Sequence, residues 1–196
     1  DAFFAQDSGY LGALAQKNLL SKLPDTILNQ VAQENRDTQG KWVATSGRAR
    51  VLVYDPSTLK PEDLPKSLKE LANDKWKGKL GWAPGNGSYQ AHVSALRHLW
   101  GEEKTKTWLQ GIKENTPKVY PKNSPQVKAV DEGKLEIGWV NHYYLHQLGK
   151  EQTNAGNYSF PIQDGGNIMM LSGMAIRKGS SHIKESSQLL EWMVSE

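Results

Sequence analysis

Apolar positions change their period along the chain, and each change marks an element. Asp1-Ala2-Phe3-Phe4-Ala5 reads as a short buried strand that runs through Gly9 into helical text over 11–20, where apolar residues recur near every 3.6 positions. Polar, amphipathic text follows to Gly40. Trp42-Val43 and Val51-Leu52-Val53-Tyr54 then read as two strand segments flanking Ser46-Gly47-Arg48, and Asp55-Pro56 ends the second. Helical text over 64–73 leads to a strand over 79–82 and the turn Pro84-Gly85-Asn86-Gly87-Ser88. Val93, Leu96 and Leu99 or Trp100 then predict a helix over 89–100 capped by Asn86 or Ser88, and a second helix follows over 102–114. A short strand at 119–120, a helix over 124–131 with Ser124 as cap and Pro125 in its first turn, and a strand over 135–140 come next. After Asn141-His142-Tyr143-Tyr144 the pattern predicts a short helix to Lys150, a loop, a strand over 169–177 and a closing helix over 183–194. Strands alternating with helices predict an α/β fold whose sheet faces are covered, with ligands at the carboxyl ends of strands.

Composition narrows the class of partner more than the fold. The 24 Lys and Arg against 21 Asp and Glu leave a net charge of +3, which carries no polyanion footprint, and no basic-aromatic interleaving suggests a nucleic-acid surface. No apolar run approaches the roughly 18 residues of a membrane span. The absence of cysteine excludes disulfides, thiolate metal sites and a cysteine nucleophile. Seven tryptophans suit core packing. The chain opens at Asp1 in the middle of a strand-turn-helix pattern, without an initiator Met or a signal segment, so it is expected to be an internal piece of a longer protein.

Four groups of residues could carry chemistry. Gly85-Asn86-Gly87-Ser88 joins a strand to a helix, and its two glycines would let successive N–H groups face an anion at the helix N-terminus. The same text is also an ordinary capped turn, and no Gly-Lys-Ser/Thr makes it a P-loop. Tyr143 and Tyr144 are adjacent phenols after a strand, and two consecutive side chains converge only where a strand gives way to a turn. Phenolates are hard oxygen donors suited to ferric iron, whose charge would hold their pKa far below the usual value of about 10. His142 and His146, spaced i, i+4, would share a helix face for zinc, but the zincin Glu and a third ligand are missing. Arg48 and Arg50 fall on one face of their strand and could neutralise an anion or line a solvated face.

Taken together, the Gly/Asn turn, Tyr120-Pro121-Lys122-Asn123-Ser124 and Asn141-His142-Tyr143-Tyr144 closely resemble the bacterial periplasmic ferric ion-binding proteins, the solute-binding components of iron(III) ABC transporters. The resemblance extends through Ser46-Gly47-Arg48-Ala49-Arg50-Val51-Leu52-Val53-Tyr54, Trp76-Lys77-Gly78-Lys79-Leu80-Gly81 and Ser172-Gly173-Met174-Ala175. It implies a periplasmic-binding-protein-like fold of two α/β lobes joined by crossing hinge strands, the first lobe (1–52 and 167–196) incomplete and the second spanning 53–166. It also implies capture of Fe³⁺ with a synergistic anion, phosphate or carbonate, in the cleft, and delivery to an inner-membrane ABC permease from a periplasmic or surface-tethered position, without catalysis. By that resemblance Tyr143 and Tyr144 ligate the metal, and Tyr89 aligns near a third tyrosine of one subgroup. The anion contacts fall on Asn86, Gly87, Ser88, Asn123 and Asn141. Gln6 stands where some members carry a Glu ligand, and Gln6 and Arg48 line the cleft. The intact protein is expected to be a monomer, whereas the fragment would expose Phe3, Phe4 and Ile176 and self-associate. Two other functions remain open on the sequence: a binder of another solute, such as a polyamine, thiamine, sulfate or phosphonate, and a hydrolase or transferase with His142 or His146 as base.

Overall fold

A computed structural model describes residues 1–149 and 153–195. Among them run seven strands: β1 (Ala2–Ala5), β2 (Trp42–Tyr54), β3 (Leu80–Trp82), β4 (Lys118–Val119), β5 (Ile137–Asn141), β6 (Gly156–Tyr158) and β7 (Met169–Ile176). The helices are α1 (Ser8–Gln16), α2 (Asp25–Leu28), α3 (Gly87–Trp100), α4 (Glu102–Glu114), α5 (Asn123–Asp131) and α6 (Ile183–Val194). The chain forms two compact units, Asp1–Gly47 with Met170–Glu196, and Arg48–Met169.

In the first unit β1 pairs antiparallel with β7, Ala2 opposite Ile176 and Ala5 opposite Gly173. The Asp7 carboxylate accepts from the Gly9 N–H at 2.8 Å and so caps α1. One apolar cluster joins Leu23, Ile27 and Leu28 to Val43, Met174, Ile176 and Leu190. Ile176, expected to be exposed, is buried there, while Phe3 and Phe4 are exposed. Strand position explains the difference, since β7 lies between β1 and β2, whereas β1 is the edge strand among the described residues. Trp192, expected in a core, lies on the outer face of α6 and is exposed. The strand-period break at Ser46-Gly47-Arg48 does not divide β2, which is continuous over 13 residues.

In the second unit β5 lies between β2 and β3, antiparallel to the first and parallel to the second. β4 extends this sheet in parallel beside β3, and β6 pairs with β2. The main core gathers Leu52, Leu68, Leu71, Trp76, Leu80, Leu96, Trp108, Ile112, Trp139 and Phe160. Residues 64–73 do not form the expected α-helix: they hold a single 3-10 stretch, Leu68–Ala72, whose Leu68 and Leu71 are buried while the Leu68 carbonyl accepts from Trp108 Nε1 at 3.1 Å. Helix α5 covers the other face with Val127 and Val130. It sits close because β5 and β3 present glycine beneath it: a Cβ on Gly138 would lie 3.0 Å from Val53 and 3.3 Å from Gln126, and one on Gly81 would lie 2.5 Å from Leu135. That close approach brings Asn123, at the start of α5, to the carboxyl end of β5. Ser124 is not the cap of this helix: α5 begins at Asn123, with Lys122 in the capping position and no side-chain cap bond.

Candidate functional site

Strand β5 ends at Asn141, and the chain turns at once into a 3-10 turn, His142–Tyr144. The turn brings the consecutive rings of Tyr143 and Tyr144 together, with centroids 4.4 Å apart and planes inclined at 31°. Both side chains are half-buried, open enough for a ligand yet held against the protein. A second 3-10 turn, His146–Leu148, follows, in place of the expected short helix, whose last residue, Lys150, lies outside the described residues. With no α-helix here, the i, i+4 spacing no longer faces His142 and His146 together. His142 Nδ1 accepts from the Ala49 N–H at 3.1 Å. Among the described residues no group of three or more His, Asp or Glu is placed to hold a metal.

Asn141 ties the tyrosine turn to the start of α3. Its Nδ2 donates to Ser88 Oγ at 3.2 Å and to Tyr143 Oη at 3.4 Å. The turn before α3 is built differently from the expectation. Neither Gly85 nor Gly87 has positive φ, and the Asn86 side chain itself accepts from the N–H groups of Ser88 at 3.0 Å and Tyr89 at 3.4 Å. Asn86 is therefore the cap of α3, and two of the donors expected to cradle an anion are already met by it. A Cβ on Gly87 would meet nothing within 4 Å, so the space over this turn is open.

Beneath these groups Arg50 is fully buried. It stands opposite Asn141 across the β2–β5 ladder. Its guanidinium donates to Asn141 Oδ1 at 3.2 Å, to Asn123 Oδ1 at 3.4 Å and to the Trp139 carbonyl at 2.6 Å, and it lies 5.0 Å over the Trp139 ring. Burial lowers its pKa to about 9, against the opposing pull of Tyr89, Tyr144 and Tyr143, so it stays charged at neutral pH. Arg48 is buried as well, so neither arginine lies on a solvated strand face. Burial raises the Tyr144 phenol, Tyr143 adds to the rise, and the Asn123 amide and the Arg50 charge oppose it.

Tyr89 stands apart from this pair. Its ring packs edge-on to Trp82 and Trp139, with centroids 5.9 and 5.1 Å away. Its hydroxyl is buried without a hydrogen-bond partner, and burial pushes the phenol well above the usual tyrosine range despite Arg50. His92, one turn further along α3, is buried against Trp139 at 4.9 Å and pairs through Nε2 with the Gly165 carbonyl at 2.5 Å. Burial lowers its pKa to about 4, so the ring is neutral and donates. Gln6 belongs to the first unit, where its carbonyl accepts from Ser172 Oγ at 3.0 Å. The alternation of β2 was the one signal in the sequence for Arg50; its two asparagine partners lie 73 and 91 residues away.

An orphan phenol, two half-buried phenols and amide donors around a buried cation form a set of hard oxygen and N–H groups. They suit a small, highly charged cation together with an oxyanion.

The sequence profile of a bacterial extracellular solute-binding protein family matches residues 2–196. An Fe(3+)-binding periplasmic protein of Serratia marcescens is 32% identical over 200 residues, covering 100% of this chain and 59% of that protein. A major ferric iron-binding protein of Neisseria meningitidis is 33% identical over 202 residues, covering 100% of the chain and 61% of its own length. Iron-bound HitA from Pseudomonas aeruginosa superposes with a TM-score of 0.92 at 34% identity, covering 100% of this chain and 64% of that structure. A Trichodesmium protein solved with iron and citrate superposes at 0.87 and 26% identity, again over 100% of the chain and 65% of its own. The chain thus spans about three-fifths of the length of the curated relatives it matches. Its fold is periplasmic-binding-protein-like, and it belongs to the family of bacterial extracellular solute-binding proteins.

Proposed function

We propose that this chain carries the metal-holding part of an extracytoplasmic ferric iron-binding protein that delivers iron to an ABC permease in the inner membrane. Ferric iron is the cargo, and Tyr143 and Tyr144 are its principal ligands as phenolates. The observation that carries the reading is the pairing of their rings at 4.4 Å on a turn where the Tyr143 oxygen also meets the Asn141 amide. Tyr89 supplies a third phenol whose hydroxyl has no other partner. Its contribution is smaller, because its burial makes the phenolate costlier to form.

A trivalent ion facing phenolates keeps open positions and surplus charge, which an oxyanion fills. Ser88, Asn123, Asn141 and the open space over Gly87 are the groups proposed to receive it; Asn86 acts through the cap it makes. Phosphate, carbonate and a carboxylate such as citrate share the needed chemistry, and the relative solved with iron and citrate supports including the last. The names of the Serratia and Neisseria relatives, both describing ferric iron binding, favour Fe³⁺ over a polyamine, thiamine, sulfate or phosphonate. Membership in a solute-binding family favours capture over hydrolysis or group transfer.

The test is a titration of the chain with ferric nitrilotriacetate, read in the visible and repeated in phosphate, carbonate, citrate and anion-depleted buffer. A phenolate-to-iron charge-transfer band that strengthens with one of the anions is the expected result. No visible band in any buffer would overturn the assignment, and equal affinity in all four would remove the anion from it.

A further inference from the structure

We infer that Arg50 is a positioning residue that fixes which way the Asn123 and Asn141 amides point, and so makes the tyrosine face a donor surface that selects an oxyanion as the iron's companion. The inference rests on the reading of this site as a ferric iron site. A guanidinium has five N–H donors and no acceptor, so the amide atom that faces it must be oxygen. Arg50 meets the Oδ1 atoms of both asparagines, at 3.4 and 3.2 Å, from one nitrogen. Each amide is thereby turned with its NH2 away from the arginine. For Asn141 that group reaches Ser88 Oγ and Tyr143 Oη. For Asn123 it is fully buried and faces the Tyr144 phenol, whose rise it opposes, but makes no hydrogen bond of ordinary length and angle.

A buried amide donor without a well-formed bond is costly, and it is matched by an acceptor brought in with the ligand. With the amides reversed, the same two positions would offer carbonyl oxygens, which favour a bare cation and repel an oxyanion. Arg50 is itself held from three sides, by two side-chain oxygens and the Trp139 carbonyl, and by the Trp139 ring below. Among the described residues none of its partners is a carboxylate, so its charge is not cancelled locally. The guanidinium that orients the amides also adds positive potential to the face they present.

The experiment compares the wild-type chain with Arg50→Lys and Arg50→Met in two arms. In the metal-free arm, NMR of the side-chain amides is expected to show nuclear Overhauser contacts from the Asn123 and Asn141 NH2 protons to the Tyr143 and Tyr144 rings in wild type, and their loss in both variants. In the loaded arm, inorganic phosphate is titrated into protein carrying ferric iron. The phosphate affinity is expected to fall roughly 10- to 100-fold in both variants, the usual effect of losing an outer-shell partner. Lysine keeps the charge but not the planar fork that also holds the Trp139 carbonyl, so phosphate affinity that fully recovers in Arg50→Lys while the amide-to-tyrosine contacts are lost would show that charge alone matters and would overturn the inference. Absence of the amide-to-tyrosine contacts in wild type, or their persistence in a folded Arg50→Met, would overturn it too. The metal-free arm decides even if no iron binds, which keeps a failure here separate from a failure of the iron reading.

Discussion

The tyrosines at the end of β5 and the tyrosine at the start of α3 are the same residue in opposite surroundings. Tyr143 and Tyr144 sit half-buried on a turn, their oxygens among amide donors, whereas Tyr89 is wedged between two tryptophans with its hydroxyl unpaired. One region is an accessible donor surface; the other is the buried aromatic floor beneath it, shared with His92, Trp108 and Trp139. On the proposed reading, the difference teaches that suitability as a metal ligand comes from where the backbone turns and what lies behind the ring. Phenol chemistry alone does not confer it.

The largest effect that would break this contrast is on iron itself. Tyr143→Phe with Tyr144→Phe is expected to weaken ferric binding by roughly a thousandfold or more, since direct ligands outweigh the roughly 10- to 100-fold carried by outer-shell partners. Tyr89→Phe is expected to cost only about tenfold, and competition with a ferric chelator measures both. A ranking in which Tyr89 matters most would reverse the comparison.

The burial of this floor has its own test through His92. Its folded pKa is held near 4 while the unfolded chain keeps the ordinary value of 6.5, so only the unfolded chain takes up a proton between those limits. Stability contributed by the neutral ring is therefore present above pH 6.5 and is lost as pH falls toward 4, by on the order of 3 kcal/mol. Denaturant unfolding of wild type and His92→Gln across that window should show the loss in the first and a flatter profile in the second.

The smallest expected effect is on the metal-free stability of Tyr89→Phe. Removing a buried hydroxyl that has no partner should stabilise the chain by about 1 kcal/mol, measured by thermal unfolding. Destabilisation of that size would mean that the hydroxyl is satisfied.

Helices with a strong 3.6 period were readable to their ends: 102–114 and 183–194 coincide with α4 and α6. The convergence of Tyr143 and Tyr144 was legible too, because a strand giving way to a turn is a local event. Features that depend on distant partners were not. β2 reads as broken because Ser46 and Gly47 interrupt the apolar pattern, yet the strand runs unbroken through them as a neighbour of β7 and β5. Ser124 has the composition of a cap, but the helix starts one residue earlier, at Asn123, whose side-chain oxygen serves Arg50 rather than a backbone N–H. The glycines of the 84–88 turn suggest positive φ, whereas the Asn86 cap holds the turn without it. A charged strand residue gives no sign in the sequence that two asparagines and a tryptophan will enclose it.

Resonance Raman spectroscopy of the ferric-loaded chain, excited within its visible band, addresses the tyrosine pair most directly. The expected spectrum carries enhanced tyrosinate ring vibrations that nearly vanish in the Tyr143→Phe, Tyr144→Phe variant and persist in Tyr89→Phe. Tyrosinate modes that are absent from the wild-type spectrum, or that survive unchanged in the double variant, would contradict phenolate ligation by Tyr143 and Tyr144.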